Sequence, residues 1–84
     1  MRLVWAVEAW EDYVYWQKAD RKLLARINRL IDETRRDPFG GIGKPKPLKY
    51  GAEGAWSKRI NDEHRLVYLI DNDDLIILQA RYHY

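Results

Sequence analysis

The sequence predicts an α+β fold in which an antiparallel β-sheet carries an N-terminal hairpin of two helices on one face. Two observations lead to this prediction. Apolar residues recur with helical spacing through most of the first half of the chain, and short β-branched and aromatic runs separated by turn residues fill the second half. Because each amphipathic element must bury its apolar side against another, we expect the helices to cover one face of the sheet.

The length and composition predict one domain spanning residues 1–84. A chain of 84 residues with 46% hydrophobic residues and four tryptophans has material for one modest core. It contains no cysteine, so disulfides and thiolate metal sites are excluded, which fits a cytoplasmic protein. Glu8, Glu11 and Asp12 interrupt the first apolar stretch and argue against a signal peptide or a membrane span.

The first half begins with a β-branched and aromatic run over 2–7, which predicts a short strand. From Glu8 the apolar spacing becomes helical, and this first helix is expected to end near Ala19. Asp20 is a good N-cap for a second helix, which Pro38 prevents from continuing. The two helices are therefore expected to form an antiparallel hairpin.

A conformationally restricted loop is predicted over 38–47, which holds all three prolines and three of the five glycines. Beyond it, β-rich runs separated by turn residues predict a β-meander. Its strands are expected at 48–50, 55–61, 64–71 and 74–82, with a turn at Asn72-Asp73 before the last one.

The positive charge of the chain is concentrated in one stretch. The net charge is only +2, so any nucleic-acid site must be local. Between residues 44 and 59 only Glu53 opposes five cations: Lys44, Lys46, Lys49, Lys58 and Arg59. Most such clusters are simply solvated. Pro45 and Pro47, however, lower the entropy lost when this segment is fixed against a ligand, which favours a binding role.

Two further groups of polar residues stand on predicted strands. Alternation places Arg65 on one face of its strand, where it is either a solvated charge or a guanidinium held rigidly for a phosphate. Arg81, Tyr82, His83 and Tyr84 stand at the end of the last apolar strand, where a polar tail commonly marks the beginning of solvent. Each residue taken alone favours the ordinary structural explanation, and only the combination favours a site.

The combination of Arg, Lys, His and Tyr supplies the groups needed for RNA cleavage without a metal. A base removes the 2′-hydroxyl proton, cations stabilise the phosphorane, and an acid protonates the leaving 5′-oxygen. His64 and His83 have no carboxylates at metal-ligand spacing, so neither a metal nor another cofactor is expected. From the residues alone, the inference ends at this class of reaction.

Four segments resemble the YoeB toxins of the RelE superfamily: WEDYVYWQ, GKPKPLKY, WSKRINDEHRLVY and the terminal ARYHY. The resemblance covers essentially the whole chain, and the last two segments are specific. It implies a microbial-ribonuclease-like (RelE-like) fold, a homodimer and a YefM-like antitoxin. It also implies cleavage of mRNA in the ribosomal A site, and hence inhibition of translation.

The resemblance also implies roles for individual residues. His83 matches the acid of the family, Arg65 the arginine that stabilises the phosphate, and Tyr84 the terminal tyrosine that helps to place the substrate. Lys49 and Arg59 match basic positions that bind RNA or ribosomal RNA, and we group the neighbouring Lys44, Lys58 and Arg81 with them as RNA-binding candidates.

The chain departs from the family at Lys46, because the usual general base at this position is a glutamate in a KPEPLK segment. Two further functions stay open; this difference favours the first, and the second rests on the basic stretch alone. One is an attenuated toxin that binds its antitoxin and, only as that complex, operator DNA as a co-repressor. The other is an RNA-binding domain without cleavage, which leaves the RYHY terminus unexplained.

Overall fold

The computed structural model describes residues 1–82, and the predicted His83 and Tyr84 lie outside these described residues. Its elements follow the order β-α-α-β-β-β-β. They are β1 (Arg2–Trp5), α1 (Val7–Ala19), α2 (Arg21–Arg36), β2 (Lys46–Pro47), β3 (Trp56–Arg59), β4 (Arg65–Asp71) and β5 (Asp74–Gln79). The prediction of an α+β fold with an N-terminal helical hairpin is confirmed.

The sheet is mixed, so the prediction of a wholly antiparallel sheet is wrong in one respect. Its strands lie in the order β1-β5-β4-β3-β2, and the meander from β2 to β5 is antiparallel throughout. Strand β1 pairs in parallel with β5. After β1, the two helices connect to β2 at the opposite edge of the sheet. The antiparallel meander then runs back across the sheet, and its last strand, β5, lies beside β1 and parallel to it.

Helix α2 forms as its sequence predicts. The Asp20 carboxylate accepts hydrogen bonds from the backbone N–H groups of Lys22 and Leu23 at 3.0 and 3.1 Å, which satisfies two of the free donors at the helix start. Ile27 and Leu30 are fully buried on the same side of the helix. The helical hairpin is thus positioned by a cap at one end and an apolar stripe along its length.

The core lies between the helices and one face of the sheet. It joins Trp16 of α1 and the apolar stripe of α2 to alternate residues of the strands, including Ile60, Leu66, Tyr68, Leu75 and Ile77. The opposite face of the sheet, called the open face below, carries Lys46, Ser57, Arg65 and Val67. Over residues 1–82, no helix is both long and apolar enough to cross a membrane.

The strand predicted at 48–50 is wrong, because the first strand of the meander is Lys46–Pro47 and turns follow it. Proline is tolerated here since β2 is an edge strand with only one neighbour. The other predicted strands form with shorter bounds. The turn at Asn72-Asp73 is confirmed, since both residues adopt the positive φ values, 48° and 66°, that tight hairpins require.

Candidate functional site

Neighbouring strands bring the predicted basic residues together on the open face. Lys46 of β2 lies opposite Ser57 of β3, and Ser57 lies opposite Val67 of β4. One step along the same strands, Arg59 and Arg65 are direct cross-strand partners. Like charges placed opposite each other destabilise a sheet. Arg59 also forms an ion pair of 3.6 Å with Asp62, but the Asp62 side chain is 96% exposed and solvent screens the contact, so the paired arginines still favour a site for an anion.

A cavity of about 190 Å³ marks the point where these charges converge. It is lined by Lys44, Lys46, Ser57, Arg59 and Arg65. Four of its five lining residues are cations, and Ser57 is a buried hydroxyl on β3. A cavity with this lining favours an oxyanion with several acceptor oxygens, such as a phosphodiester.

The turn that joins β3 to β4 holds the Arg65 guanidinium. Arg65 Nη1 donates to the carbonyl oxygens of Asn61 at 2.7 Å and His64 at 3.2 Å. The Asn61 side chain stabilises the same turn by accepting from the N–H groups of Glu63 and His64. The Arg65 guanidinium is therefore fixed on one side by neutral carbonyls, which leaves its full charge available to a ligand.

Gly43 brings the basic loop close to β3. Its carbonyl accepts a hydrogen bond of 2.6 Å from the backbone N–H of Arg59. A Cβ at this position would approach Leu30 Cδ2 to 2.9 Å and Lys58 Cβ to 3.0 Å, and the residue has a φ of 90°. Only glycine fits these conditions, and the contact fixes the start of Lys44, itself at a φ of 50°.

A second cavity of about 800 Å³ adjoins the first, since Lys46, Ser57 and Arg65 line both. Lys49 lies along it, as its predicted role requires. Sequence reasoning missed several residues that also line it, among them Glu8, Tyr50 and Gln79. Glu8 and Gln79 come together because β1 pairs in parallel with β5, and no local sequence pattern indicates that pairing.

Lys58 is not part of this site, and its predicted RNA-binding role is therefore wrong. Alternation along β3 turns it toward the helices, where it is 0% exposed. Its ammonium lies 5.9 Å from the ring centre of Tyr68 and has no hydrogen-bond partner among residues 1–82. Burial lowers the pKa of Lys58, while the carboxylates of Glu33 and Asp37 act in the opposite direction.

Buried groups around Lys58 hold the loop that precedes the site. The Tyr68 hydroxyl donates a hydrogen bond to the Pro38 carbonyl. Burial raises the pKa of that hydroxyl well above its ordinary value, with a smaller contribution from Asp37. Tyr68 is thus a neutral donor at physiological pH and fastens the beginning of the loop to the central strand.

Arg81 also lies away from the cavities, contrary to its grouping with the RNA-binding residues. Its guanidinium carbon lies 3.6 Å from the ring centre of Tyr15 and 4.7 Å from that of Tyr82. Arg81 therefore stacks between two aromatic rings and stabilises the segment after β5 rather than lining the basic cavity.

Across the described residues, no group of three or more His, Asp or Glu side chains is arranged to hold a metal ion. The site that the structure does assemble therefore consists of cations around a buried hydroxyl. Its two further candidates, His83 and Tyr84, directly follow the described chain.

Comparisons with known proteins identify the family. Residues 5–84 match the family described as YoeB-like toxin of bacterial type II toxin–antitoxin system. Toxin YoeB of Escherichia coli strain K12 is 54% identical over 84 residues, covering all of both chains.

Solved structures agree with this match. A YoeB/ParE toxin from Agrobacterium tumefaciens has a TM-score of 0.96 at 45% identity, with both chains fully covered. YoeB of Staphylococcus aureus, solved as a dimer, has a TM-score of 0.92 at 41% identity over 100% of this chain and 98% of the other. The same toxin has also been solved as a heterotetrameric YoeB-YefM complex. The chain therefore belongs to the YoeB-like toxins of bacterial type II toxin–antitoxin systems.

Proposed function

We propose that this chain is an endoribonuclease that cleaves mRNA in the ribosomal A site and so inhibits translation. The observation that carries the proposal is the convergence of Lys44, Lys46, Arg59 and Arg65 on one cavity of the open face. This cavity has the charge and the hydrogen-bond donors needed to bind a phosphodiester while negative charge develops on it. Its action would take place in the cytoplasm, where mRNA is translated.

In the proposed reaction, a base, for which Lys46 is the candidate in this chain, removes the proton of the 2′-hydroxyl, and the 2′-oxygen attacks the adjacent phosphorus. Arg65 stabilises the phosphorane, and the bond from phosphorus to the 5′-oxygen breaks. His83 donates a proton to that leaving oxygen, and Tyr84 helps to place the substrate. The products are a 2′,3′-cyclic phosphate and a 5′-hydroxyl, and every step uses side chains of the protein.

The remaining cations are proposed to bind the RNA backbone. Lys44 and Lys49 are exposed and line the two adjoining cavities, and Arg59 stands beside Arg65. A site with so few cations, on a chain with a net charge of +2, gives weak binding to free RNA at physiological salt. The ribosome is therefore proposed to present the mRNA and to supply the missing affinity.

Two protein partners are proposed from the family. One is a YefM-like antitoxin, and the other is a second copy of this chain in a homodimer. The Staphylococcus aureus relative, solved both as a dimer and with YefM, supports both proposals. Operator DNA is proposed as a partner only for the complex with the antitoxin.

A second candidate function is favoured by Lys46, which occupies the position of the usual glutamate. A lysine ammonium normally holds its proton at neutral pH and is a poor base. In this alternative the chain is an attenuated toxin that acts only as an antitoxin-binding module and co-repressor.

Induced expression without an antitoxin separates the two functions. The endoribonuclease predicts growth arrest and new mRNA 5′ ends within translated codons. The binding module predicts normal growth and an unchanged pattern of 5′ ends, and this result would exclude the proposed cleavage.

A further inference from the structure

The segment after β5 is fastened to α1 at Ala80, three residues before the proposed acid His83. The Ala80 carbonyl accepts a hydrogen bond of 2.8 Å from Trp16 Nε1, and its N–H donates to the Asp12 carboxylate at 3.0 Å. Both polar groups of this buried residue are thus bonded to one helix. The path of the chain leaving the sheet is set by side chains of α1.

Tyr82 is fastened in the same way, but to the start of β4. Its N–H donates to His64 Nδ1 at 2.7 Å, and its carbonyl accepts from the backbone N–H of Arg65 at 2.9 Å. Tyr82 has a φ of 62°, in the left-handed region that is unfavourable for a non-glycine residue. The two hydrogen bonds offset this cost and hold the backbone in an unusual direction.

His64 is built into the core at this position. It is 8% exposed, and its ring meets the Trp16 ring edge-on, with centroids 4.8 Å apart. Since Nδ1 accepts the Tyr82 N–H, the neutral ring carries its proton on Nε2. The packing against Trp16 orients the Nδ1 lone pair toward the backbone that it binds.

We propose that His64 is a positioning residue for the reaction, because its hydrogen bond to Tyr82 fixes the backbone of the residue that directly precedes the proposed acid His83. This inference rests on the proposed ribonuclease function. Tyr82 immediately precedes His83, and its carbonyl is bonded to the backbone of Arg65, whose guanidinium lines the cavity. One hydrogen-bonded unit therefore joins the residue before the proposed acid to the proposed phosphate-stabilising residue.

The chemistry explains why this link matters for the rate. In-line attack needs the acid within hydrogen-bond reach of the leaving oxygen, and an error of about 1 Å in placing a reacting group costs on the order of 100-fold in rate. A loosened Tyr82 should accordingly lower kcat while substrate binding, which depends on the basic cavity, changes little.

The test compares His64→Asn with His64→Leu. The asparagine Oδ1 stands near the position of Nδ1 and accepts a hydrogen bond, whereas leucine has a similar size and accepts none. We expect His64→Leu to lower kcat on programmed ribosomes by roughly 10-fold to 100-fold with little change in KM. His64→Asn should recover most of this loss. Equal rates for the two variants, with both folded, would overturn the proposal.

A spectroscopic arm separates this inference from the proposed function. In wild-type protein labelled with ¹⁵N, a scalar coupling should connect the Tyr82 amide nitrogen to His64 Nδ1 across the hydrogen bond. In His64→Leu the Tyr82 amide proton should shift upfield and exchange faster with solvent.

Absence of the wild-type coupling would overturn the inference even if His64→Leu failed to fold. Presence of the coupling without any cleavage by the wild type would instead contradict the proposed function, and with it the catalytic role of the link.

Discussion

Lys58 and Arg59 are consecutive cations on β3, yet the structure gives them opposite environments. Lys58 faces the helices and is fully buried, whereas Arg59 faces the open side and lines the basic cavity with Arg65. The difference arises from the alternation of side chains along a strand. Clustering of charge along the sequence therefore indicates a region, and the parity of each position decides which charges can meet a ligand.

The two faces also differ in how their charges are treated. On the helix face, the Lys58 ammonium is desolvated with no hydrogen-bond partner within the described chain, which costs free energy of folding. On the open face, the exposed Asp62 partly offsets the charge of Arg59, and Arg59 and Arg65 both line the basic cavity, where an anion can reach them. A bound anion would relieve the repulsion between Arg59 and Arg65. It would not relieve the free-energy cost of burying the Lys58 ammonium.

The largest loss of cleavage activity is expected when the proposed acid is removed and both faces of the sheet are left unchanged. Deleting His83 and Tyr84 should reduce cleavage to background, because general acid catalysis contributes roughly 100-fold to 10,000-fold. Tyr82 and its hydrogen bonds remain, so the melting temperature should change by no more than about 2 °C. A truncated protein that cleaves at the wild-type rate would show that the acid lies elsewhere.

Arg65→Ala, which removes a cation of the basic cavity on the open face, should lower the cleavage rate by almost as much. Loss of a cation aimed at the phosphorane is expected to lower the single-turnover rate by about 100-fold to 1,000-fold. Arg65→Lys is the matched control, and it should recover part of the rate because it keeps the charge without the planar fork of donors. If alanine and wild type cleave equally, the cavity is not the reaction site.

Substitutions of Lys46 should change the cleavage rate by less, and glutamate and alanine should change it in opposite directions. We expect Lys46→Glu to raise single-turnover cleavage on the ribosome, about 10-fold or more, because a carboxylate accepts the 2′-hydroxyl proton more readily. Lys46→Ala should lower the rate if the amine takes part. Rates measured at matched ribosome occupancy distinguish these cases. Coincident rates for all three proteins would move the base elsewhere, and Glu8 is then the carboxylate that already lines the adjoining cavity.

The smallest effect on activity is expected from Lys58→Met, the matching change on the helix face. Cleavage should stay near the wild-type rate, and the free energy of unfolding should rise by about 1 to 2 kcal/mol at neutral pH, since an unpaired buried charge is replaced by an apolar chain. Chemical denaturation checks the stability. A loss of stability would show that the ammonium makes a favourable interaction with Glu33 or Asp37.

The stability gain of Lys58→Met should also depend on pH. Because burial lowers the pKa of Lys58 below its ordinary 10.5, the unfolded wild type binds more protons than the folded protein between the two values. Wild-type stability therefore rises with pH in that window relative to the variant. The advantage of the variant should be greatest below the window and shrink as the pH approaches 10.5.

The helical half of the fold was predictable because its signals are local. Asp20 caps α2 through hydrogen bonds from the N–H groups of Lys22 and Leu23, and Pro38 lies just beyond the end of that helix. The parallel partner of β1 depends on where a strand more than 60 residues later returns, so no local pattern indicates it. For the same reason the approach of Glu8 to the cavity was missed.

The alternation of side chains along a strand predicts which basic residues of the candidate site share a face of the sheet. Arg59 and Arg65 meet because both lie on the open-face parity of their strands. The same rule, applied to Lys58, would have placed it with Trp56 and Ile60 on the helix face. The stacking of Arg81 between Tyr15 and Tyr82 brings together residues from distant parts of the chain, which required the structure.

The central claim is that the open face cleaves mRNA presented by the ribosome. It is tested most directly by giving the same low concentration of the protein one transcript in two forms, naked and engaged in a programmed ribosome. The account predicts cleavage within the A-site codon of the engaged transcript and almost none of the naked one, since the few cations of the site bind free RNA weakly. Equal cleavage of both forms, or cleavage of neither, would contradict it.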